Sequence, residues 1–290
     1  MTRIITSLSD ISDCYDALFC DLWGCVHDGL APFEEAVAAM QAFRARGGTV
    51  MLVTNAPRAR APVRRQLERL GVPIDAYDGI ATSGDSARAA MLRGAVGEKV
   101  YFIGRPHDQD FFAPLELIEN PIMISQVPLE QAEGIVCCGP FDPLADPDEM
   151  RAHFLQAKAR GLKLLCANPD IVVDRGETRE WCAGALAKLY TEMGGESLYF
   201  GKPHPPIYDL ARRRLEALGK DIPDSRILCV GDGILTDIDG ALGEDLDSLF
   251  ITGGLAARET QTTDQPEPAA LMAYLTKEMR QPTYSIGKLR

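Results

Sequence analysis

Short apolar runs, separated by amphipathic segments, are the feature that most limits what this 290-residue chain can fold into. The runs are apolar at consecutive positions, as in strands that are covered on both faces. We predict strands at residues 15–20, 49–54, 99–103, 134–138, 163–167, 198–200, 226–230 and 248–252. Strands that alternate with helices in this way predict an α/β fold built on a doubly wound parallel sheet.

The segments between these runs carry helical patterns. Residues 33–48 place apolar side chains at helical spacing and end in a pair of glycines, which terminates a helix. A second helix is predicted after Asp146, a suitable N-cap, and ends at Gly161. A third is predicted within residues 205–219, where apolar residues form a stripe.

The net charge of the chain excludes some classes of binding partner. The chain has 30 lysines and arginines against 42 aspartates and glutamates, which gives a net charge of −12. Because an acidic surface repels nucleic acid and anionic lipid, we expect neither as a partner. No apolar stretch approaches the roughly 18 residues of a membrane span, and the N-terminus lacks the apolar core of a signal peptide. The eight cysteines form no CxxC pair and are interpreted as reduced packing residues, so we expect a cytoplasmic protein.

Polar residues stand at or just beyond the ends of four predicted strands. They are Asp21; Thr54 with Asn55; Lys202; and Asp232, with Asp237 five residues later. The carboxyl ends of strands in a parallel sheet meet at one edge, where ligands bind. We therefore expect these side chains to lie together.

This set of residue types suits phosphoryl transfer. Asp21 and Asp232 can hold Mg²⁺, which prefers oxygen ligands. Lys202 and Thr54 can bind phosphate oxygens, and an aspartate beside a bound phosphate can attack phosphorus. The segment GDGILT lacks the last glycine of a GxGxxG loop and carries an acid that would repel a pyrophosphate, which disfavours a dinucleotide site.

Four motifs, taken in chain order, carry a family resemblance. DLWGCVHDG, LVTN, GKP and GDGILTDI resemble the motifs of the haloacid dehalogenase (HAD) superfamily, in its class IIA branch of sugar-phosphatase-like hydrolases. The resemblance implies a Rossmann-like core at residues 1–83 and 182–290, with an α/β cap domain inserted at residues 84–181. It also implies Mg²⁺ as cofactor, a small phosphorylated metabolite as substrate, and homodimer contacts through the cap.

The same resemblance implies roles for single residues. Asp21 becomes the nucleophile, Thr54 and Lys202 bind the phosphoryl group, and Asn55 is a substrate-binding residue. The segment CANPD resembles the substrate-specificity loop and nominates Asn168 and Asp170. The resemblance also implies a metal site made of Asp21, the backbone carbonyl of Trp23 and Asp232, which Asp237 supports without binding the metal directly.

Trp23 departs from the family pattern. Phosphatases of the family carry a second aspartate at this position, which protonates the leaving oxygen and then activates water. An indole N–H does not transfer protons in this way. General acid–base catalysis contributes about 10²–10⁴-fold to a rate, so its loss penalises poor leaving groups most.

Three interpretations of Trp23 follow. Another acid stands in, and His27 and Asp28 are the nearest, although the sequence HDG is also typical of a tight turn. Alternatively, the substrate has a leaving group that needs no acid, such as an aryl or acyl phosphate, or a halide as in a dehalogenase-like hydrolase. A third alternative is a non-catalytic, regulatory protein that binds a phosphate ligand. Because the rest of the motif set is intact, we expect a Mg²⁺-dependent hydrolase that forms an aspartyl-phosphate.

Overall fold

The strands and helices alternate along the chain as the sequence predicts. A computed structural model describes residues 2–113, 120–175 and 178–290. Its strands are β1 (Arg3–Ile4), β2 (Ala17–Cys20), β3 (Thr49–Thr54), β4 (Gly79–Thr82), β5 (Lys99–Ile103), β6 (Ser125–Gln126), β7 (Gly134–Cys137), β8 (Lys163–Cys166), β9 (Val172–Arg175), β10 (Thr178–Trp181), β11 (Glu196–Tyr199), β12 (Ile227–Gly231), β13 (Asp247–Ile251) and β14 (Tyr284–Ile286). Its α-helices are α1 (Glu34–Ala45), α2 (Arg60–Leu70), α3 (Ser83–Leu92), α4 (Arg151–Ala159), α5 (Ala183–Glu192), α6 (Pro205–Ala217), α7 (Asp239–Gly243) and α8 (Pro268–Glu278).

Each predicted strand corresponds to an observed strand whose ends differ by at most two residues. The sequence analysis missed β1, β4, β6, β9, β10 and β14. The hairpin of β9 and β10 is rich in charged residues, so it lacks the apolar run by which the other strands were found. The three predicted helices are present as α1, α4 and α6, and a short 3₁₀ turn at Pro147–Met150 precedes α4.

The first sheet has seven strands in the order β1-β14-β13-β12-β2-β3-β4. Strand β2 lies in its interior and pairs in parallel with both β12 and β3. In this register Phe19 lies opposite Cys229 on one side and Met51 on the other. These residues belong to a buried core that α6 and α7 help to form. The carboxyl ends of β2, β3 and β12 are therefore neighbours.

The second sheet has five strands in the order β11-β8-β7-β5-β6, and its paired strands run parallel. Helices α4 and α5 supply Phe154, Leu186 and Tyr190 to one of its buried cores. The antiparallel hairpin of β9 and β10 follows β8 in the chain. Apart from this hairpin, the described strands form two parallel sheets, where strand alternation alone indicated one.

Backbone contacts group the chain into two compact units. Unit 1 comprises Met1–Thr54, Arg64–Ala81 and Lys202–Arg290, and unit 2 comprises Asn55–Val63 and Thr82–Gly201. By these contacts α5 and β11 group with unit 2, whereas the predicted core range of 182–290 includes them. The reason is that β11 pairs with β8 and α5 packs in the core of the second sheet.

Within the described ranges, no helix combines the length and the apolar character that crossing a lipid bilayer requires.

Candidate active site

The ends of neighbouring strands in unit 1 carry buried polar side chains. Asp21 directly follows β2, Thr54 is the last residue of β3, and Asp232 directly follows β12. The Asp21 amide donates to the carbonyl of Val230 at 2.8 Å, so the pairing of β2 with β12 extends to the predicted nucleophile. Asp21, Thr54 and Asp232 are all buried. The strand-end residues predicted from sequence are thus placed on adjacent strands.

Lys202 connects two of the carboxylates. Its Nζ donates to Oδ1 of Asp21 at 2.5 Å and to Oδ1 of Asp237 at 2.6 Å. All three side chains are buried. Burial acts to lower the pKa of Lys202, but the two carboxylates outweigh it and raise that pKa above its ordinary value. The lysine therefore carries a fixed positive charge against Asp21.

Asp237 is held by the glycines of the GDG segment. It lies on a single π-helical turn, Ile234–Ile238, and its Oδ2 accepts from the Gly233 amide at 3.0 Å. A Cβ at Gly231 would overlap the carboxyl group of Asp237. The close approach of backbone to carboxylate therefore requires glycine at position 231.

Asp232 lies in a narrow space between two other glycines. A Cβ at either Gly24 or Gly254 would overlap Oδ2 of Asp232, and Gly24 also has a positive φ of +73°. The carboxylate accepts from the Leu255 amide at 3.0 Å. Burial raises the pKa of Asp232 well above its usual value, as do the charges of Asp21 and Asp237. The amide of Leu255 and the charge of Lys202 oppose that rise without cancelling it.

These charges are suited to a divalent cation. One ligand atom from each of Asp21, Cys25 and Asp232 lies within 4.8 Å of the others, and all three residues are buried. A cation between the carboxylates would offset the repulsion that raises the pKa of Asp232. We name Asp21, Lys202, Asp232 and Asp237 the strand-end cluster.

Cys25 was missed by the sequence analysis, which interpreted the cysteines as packing residues. Seven of the eight cysteines are indeed buried, and Cys14 is exposed. The sequence feature that could have indicated Cys25 is its position, four residues after Asp21 in the same motif. Packing cysteines and ligand cysteines share the same apolar neighbours in sequence, so the pattern alone did not separate them.

The Trp23 side chain is partly buried within the loop that follows β2. Its ring meets the ring of His27 edge-on, with centroids 5.0 Å apart, and a Cβ at Gly29 would overlap it. Gly29 has a positive φ of +86°, and its amide donates to Nδ1 of His27 at 3.0 Å. His27 is 1% exposed. Trp23 is therefore part of a packed turn.

Asp28 stabilises the same turn. Its Oδ1 accepts from the amides of Leu30 and Ala31, each at 2.8 Å. These two amides lower the pKa of Asp28, which is exposed. A carboxylate that stays ionised to lower pH is a poorer proton donor near neutrality. Asp28 thus has the turn role that the sequence HDG indicates.

Three predicted substrate residues come together in unit 2. The side-chain amide of Asn55 donates to Oδ1 of Asp170 at 2.7 Å. The backbone amide of Asp170 donates to Oδ1 of Asn168 at 3.0 Å. Asn168 lies two residues beyond β8, at the carboxyl end of the second sheet. We name Asn55, Asn168 and Asp170 the amide cluster.

Family models match both ends of the motif set. A model described as haloacid dehalogenase-like hydrolase matches residues 18–117. A second, described as HAD-hydrolase-like, matches residues 199–277. The first range contains Asp21 and Thr54, and the second contains Lys202, Asp232 and Asp237.

Known proteins resemble the chain over nearly its whole length. A crystal structure of a haloacid dehalogenase-like hydrolase from Brucella suis 1330 is 38% identical, has a TM-score of 0.86, and aligns over 99% of this chain and 100% of its own. The 5'-nucleotidase YutF of Bacillus subtilis (strain 168) is 25% identical over 265 residues, which cover 91% of this chain and 97% of that protein. The D-glycerol 3-phosphate phosphatase of Mycobacterium tuberculosis (strain ATCC 25618 / H37Rv) is 27% identical over 287 residues, 98% of this chain and 72% of that protein.

The fold and the sequence relationships agree. The α/β architecture, with a Rossmann-like core and an inserted cap, matches that of the Brucella hydrolase over both chains. The chain belongs to the haloacid dehalogenase-like hydrolase family, in its class IIA branch of phosphatase-type enzymes.

Proposed function

We propose that this protein is a Mg²⁺-dependent phosphohydrolase that acts on a small phosphorylated metabolite through an aspartyl-phosphate at Asp21. The observation that carries the proposal is the strand-end cluster, in which a buried lysine lies between two carboxylates and a third carboxylate carries a raised pKa. This arrangement supplies a nucleophile and positive charge for a phosphoryl group. The Bacillus and Mycobacterium relatives are named for activities on a nucleotide and on a glycerol phosphate, which supports the substrate class.

The nucleophilic step uses Asp21. One of its oxygens attacks phosphorus, while the bond from phosphorus to the leaving oxygen breaks and that oxygen departs with the electron pair. The hydrogen bond from Lys202 to Oδ1 fixes the orientation of the carboxylate. Water then attacks the aspartyl-phosphate, which releases phosphate and restores Asp21.

The negative charge on the phosphoryl oxygens would be balanced by residues of the chain and by the bound cation. We assign Lys202 and Thr54 to bind those oxygens, as a point charge and a hydroxyl donor. Asp21, the Trp23 carbonyl and Asp232 would hold Mg²⁺, whose chemistry there is charge neutralisation. Asp237 shares Lys202 with Asp21 and so positions the lysine.

We further assign the amide cluster to recognise the part of the substrate beyond its phosphate. Asn55 and Asp170 hold each other at 2.7 Å, and Asn168 fixes the backbone at Asp170. An amide and a carboxylate that are prepositioned in this way suit a polyhydroxylated or amide-bearing substrate.

The family resemblance implies an acid where this chain has Trp23, and this difference bears on the leaving group. The Trp23 ring packs against His27, and Asp28 is an exposed, readily ionised turn residue. We therefore infer a preference for leaving groups that depart without protonation, as in aryl or acyl phosphates. General acid catalysis contributes about 10²–10⁴-fold, and its loss falls mainly on alkyl phosphates.

Hydrolysis of p-nitrophenyl phosphate with and without Mg²⁺, followed by a panel of phosphate esters, tests the proposal. We expect metal-dependent turnover by the wild type and none by Asp21→Asn, with the variant folded by circular dichroism. Turnover that survives in Asp21→Asn would refute the nucleophile assignment. If the wild type binds phosphate and hydrolyses no ester in the panel, the alternative of a phosphate-binding regulatory protein replaces the proposal.

A further inference from the structure

A buried thiol lies beside the two carboxylates of the metal site. The Sγ of Cys25 and a carboxylate oxygen from each of Asp21 and Asp232 all lie within 4.8 Å of one another. Cys25 is 1% exposed. The metal site proposed above uses only oxygen ligands, so the thiol has no role in it.

The backbone fixes the position of this thiol. The Leu22 carbonyl accepts from the amides of Val26 and His27, at 2.8 and 3.1 Å, which closes the loop around Cys25. The preceding Gly24 has a positive φ and touches Asp232 so closely that a side chain would overlap it. Cys25 is thus held against the carboxylates by its own loop.

Cys20 provides a contrast within the same motif. It directly precedes Asp21 and is also buried, but its thiol donates to the backbone carbonyl of Asp21 at 3.2 Å. It does not belong to the group of side chains that could share an ion. Of the two thiols that flank the nucleophile, only Cys25 is placed as a donor to the metal site.

The chemistry of the three donors differs from that of an all-oxygen site. Carboxylate oxygens suit Mg²⁺, whereas a thiolate selects softer cations such as Zn²⁺ and Cd²⁺. Zinc binds sulfur at about 2.3 Å and carboxylate oxygen at about 2.0–2.2 Å, so small side-chain movements bring the three donors onto one ion. When the metal–sulfur bond forms, the thiol proton is released to solvent.

We propose that Cys25 is a third side-chain ligand for a thiophilic divalent cation, Zn²⁺ or Cd²⁺, which binds with Asp21 and Asp232 in competition with Mg²⁺. The inference rests on the proposed function only in that it uses the same two carboxylates. Mg²⁺ leaves the thiol protonated and unbound, whereas the softer ions recruit it. The position of Cys25 therefore decides which cations occupy this site.

Titration of the metal-free protein with Cd²⁺ tests this directly, because a cadmium–thiolate bond absorbs in the ultraviolet. The parent protein for the test carries Cys14→Ser, which removes the exposed thiol. We expect the absorption to saturate at one equivalent, to be lost in Cys25→Ser, and to persist in the matched control Cys20→Ser. Replacing even an outer partner of a metal ligand costs about 10–100-fold in affinity, so Cys25→Ser should weaken Cd²⁺ binding by at least about tenfold.

Two further outcomes keep the test decisive. A ¹¹³Cd NMR signal of the parent protein in the all-oxygen range would overturn the proposal without any variant, and so would equal Cd²⁺ absorption in the parent and in Cys25→Ser. Competition is read from the same signal, which Mg²⁺ should diminish. Mg²⁺-dependent turnover without a cadmium–thiolate bond overturns this inference alone. A cadmium–thiolate bond in a protein without turnover overturns the proposed function and leaves this inference standing.

Discussion

The strand-end cluster of unit 1 and the amide cluster of unit 2 both follow the carboxyl ends of parallel strands, yet they are held together differently. The first consists of buried charges, and Lys202 lies within 2.6 Å of two carboxylates. The second consists of two neutral amides and one partly exposed carboxylate, joined by ordinary hydrogen bonds. Removing one member of a buried ion group leaves an uncompensated charge, whereas removing one neutral hydrogen bond costs little. The comparison teaches that the ends of parallel strands can carry either a group of buried ions or a small network of hydrogen bonds around neutral amides.

The largest effect is expected from Lys202→Met. It leaves Asp21 and Asp237 buried without their shared cation, which should lower the free energy of unfolding by about 3–5 kcal/mol. Chemical denaturation in the absence of metal measures this. The matched control is Lys163→Met, which breaks the half-exposed ion pair with Glu196 at 2.8 Å and should cost less than about 1 kcal/mol. Similar losses in both variants would show that burial does not strengthen the ion pairs of the strand-end cluster relative to an exposed pair.

Trp23→Asp should have the next largest effect, on rate. A carboxylic acid at this position can protonate the leaving oxygen, so kcat/KM for alkyl phosphates should rise by about 10²-fold, the lower end of what general acid catalysis contributes. Hydrolysis of p-nitrophenyl phosphate should change far less, because its leaving group departs without a proton. Trp23→Asn, which cannot donate a proton as an acid, is the control. An equal rise for both classes of ester would contradict the leaving-group account.

Gly24→Ala tests how closely the cluster is packed. The new Cβ would overlap Asp232, so we expect the affinity for Mg²⁺ to fall by about tenfold, or ~1.4 kcal/mol. Gly71→Ala is the control, because Gly71 also has a positive φ but has open space where a Cβ would lie. Both variants place alanine at a positive φ, and only the first should lose metal affinity by isothermal titration calorimetry. Unchanged affinity in Gly24→Ala would show that Asp232 tolerates displacement.

The smallest effect is expected in the amide cluster. Asn168→Ala removes the acceptor for the Asp170 amide and should lower the free energy of unfolding by about 1 kcal/mol. Its main consequence should be a higher KM with kcat nearly unchanged, since the cluster is assigned to recognition. Gln109→Ala breaks an exposed hydrogen bond to Gln126 in the same unit and should alter neither quantity. A fall in kcat without a change in KM would indicate that Asn168 acts in the chemical step and not in substrate recognition.

Much of the strand-end cluster was predictable, because each member is a local signal. A polar residue at the end of an apolar run marks the end of a buried strand, and Asp21, Thr54 and Asp232 each do so. Lys202 and Asp237 were found a few residues beyond the ends of predicted strands, and in the structure Lys202 donates to both Asp21 and Asp237. Cys25 was missed for two reasons. It lies 207 positions from Asp232 in the sequence, although the two are close in space, and the motif pattern counted cysteine as an apolar residue.

The boundary between the units was less predictable, for a similar reason. Residues 182–201 have the same helix-then-strand pattern as the rest of the chain, and nothing local shows which sheet receives them. The pairing of β11 with β8 assigns them to unit 2. Strand pairing depends on contacts between distant segments, so periodicity predicts that a strand exists and does not identify its neighbours.

By itself, the sequence determined the α/β class, the sites where strands end, and the residue types available for phosphoryl transfer. All three features follow from local periodicity and from the chemistry of single side chains, which do not depend on contacts between distant segments. Only the tertiary structure decided that Lys202 bridges Asp21 and Asp237, that two glycines enclose Asp232, and that Cys25 lies beside the carboxylates. Such contacts join segments from different parts of the chain, and burial then gives them their electrostatic strength.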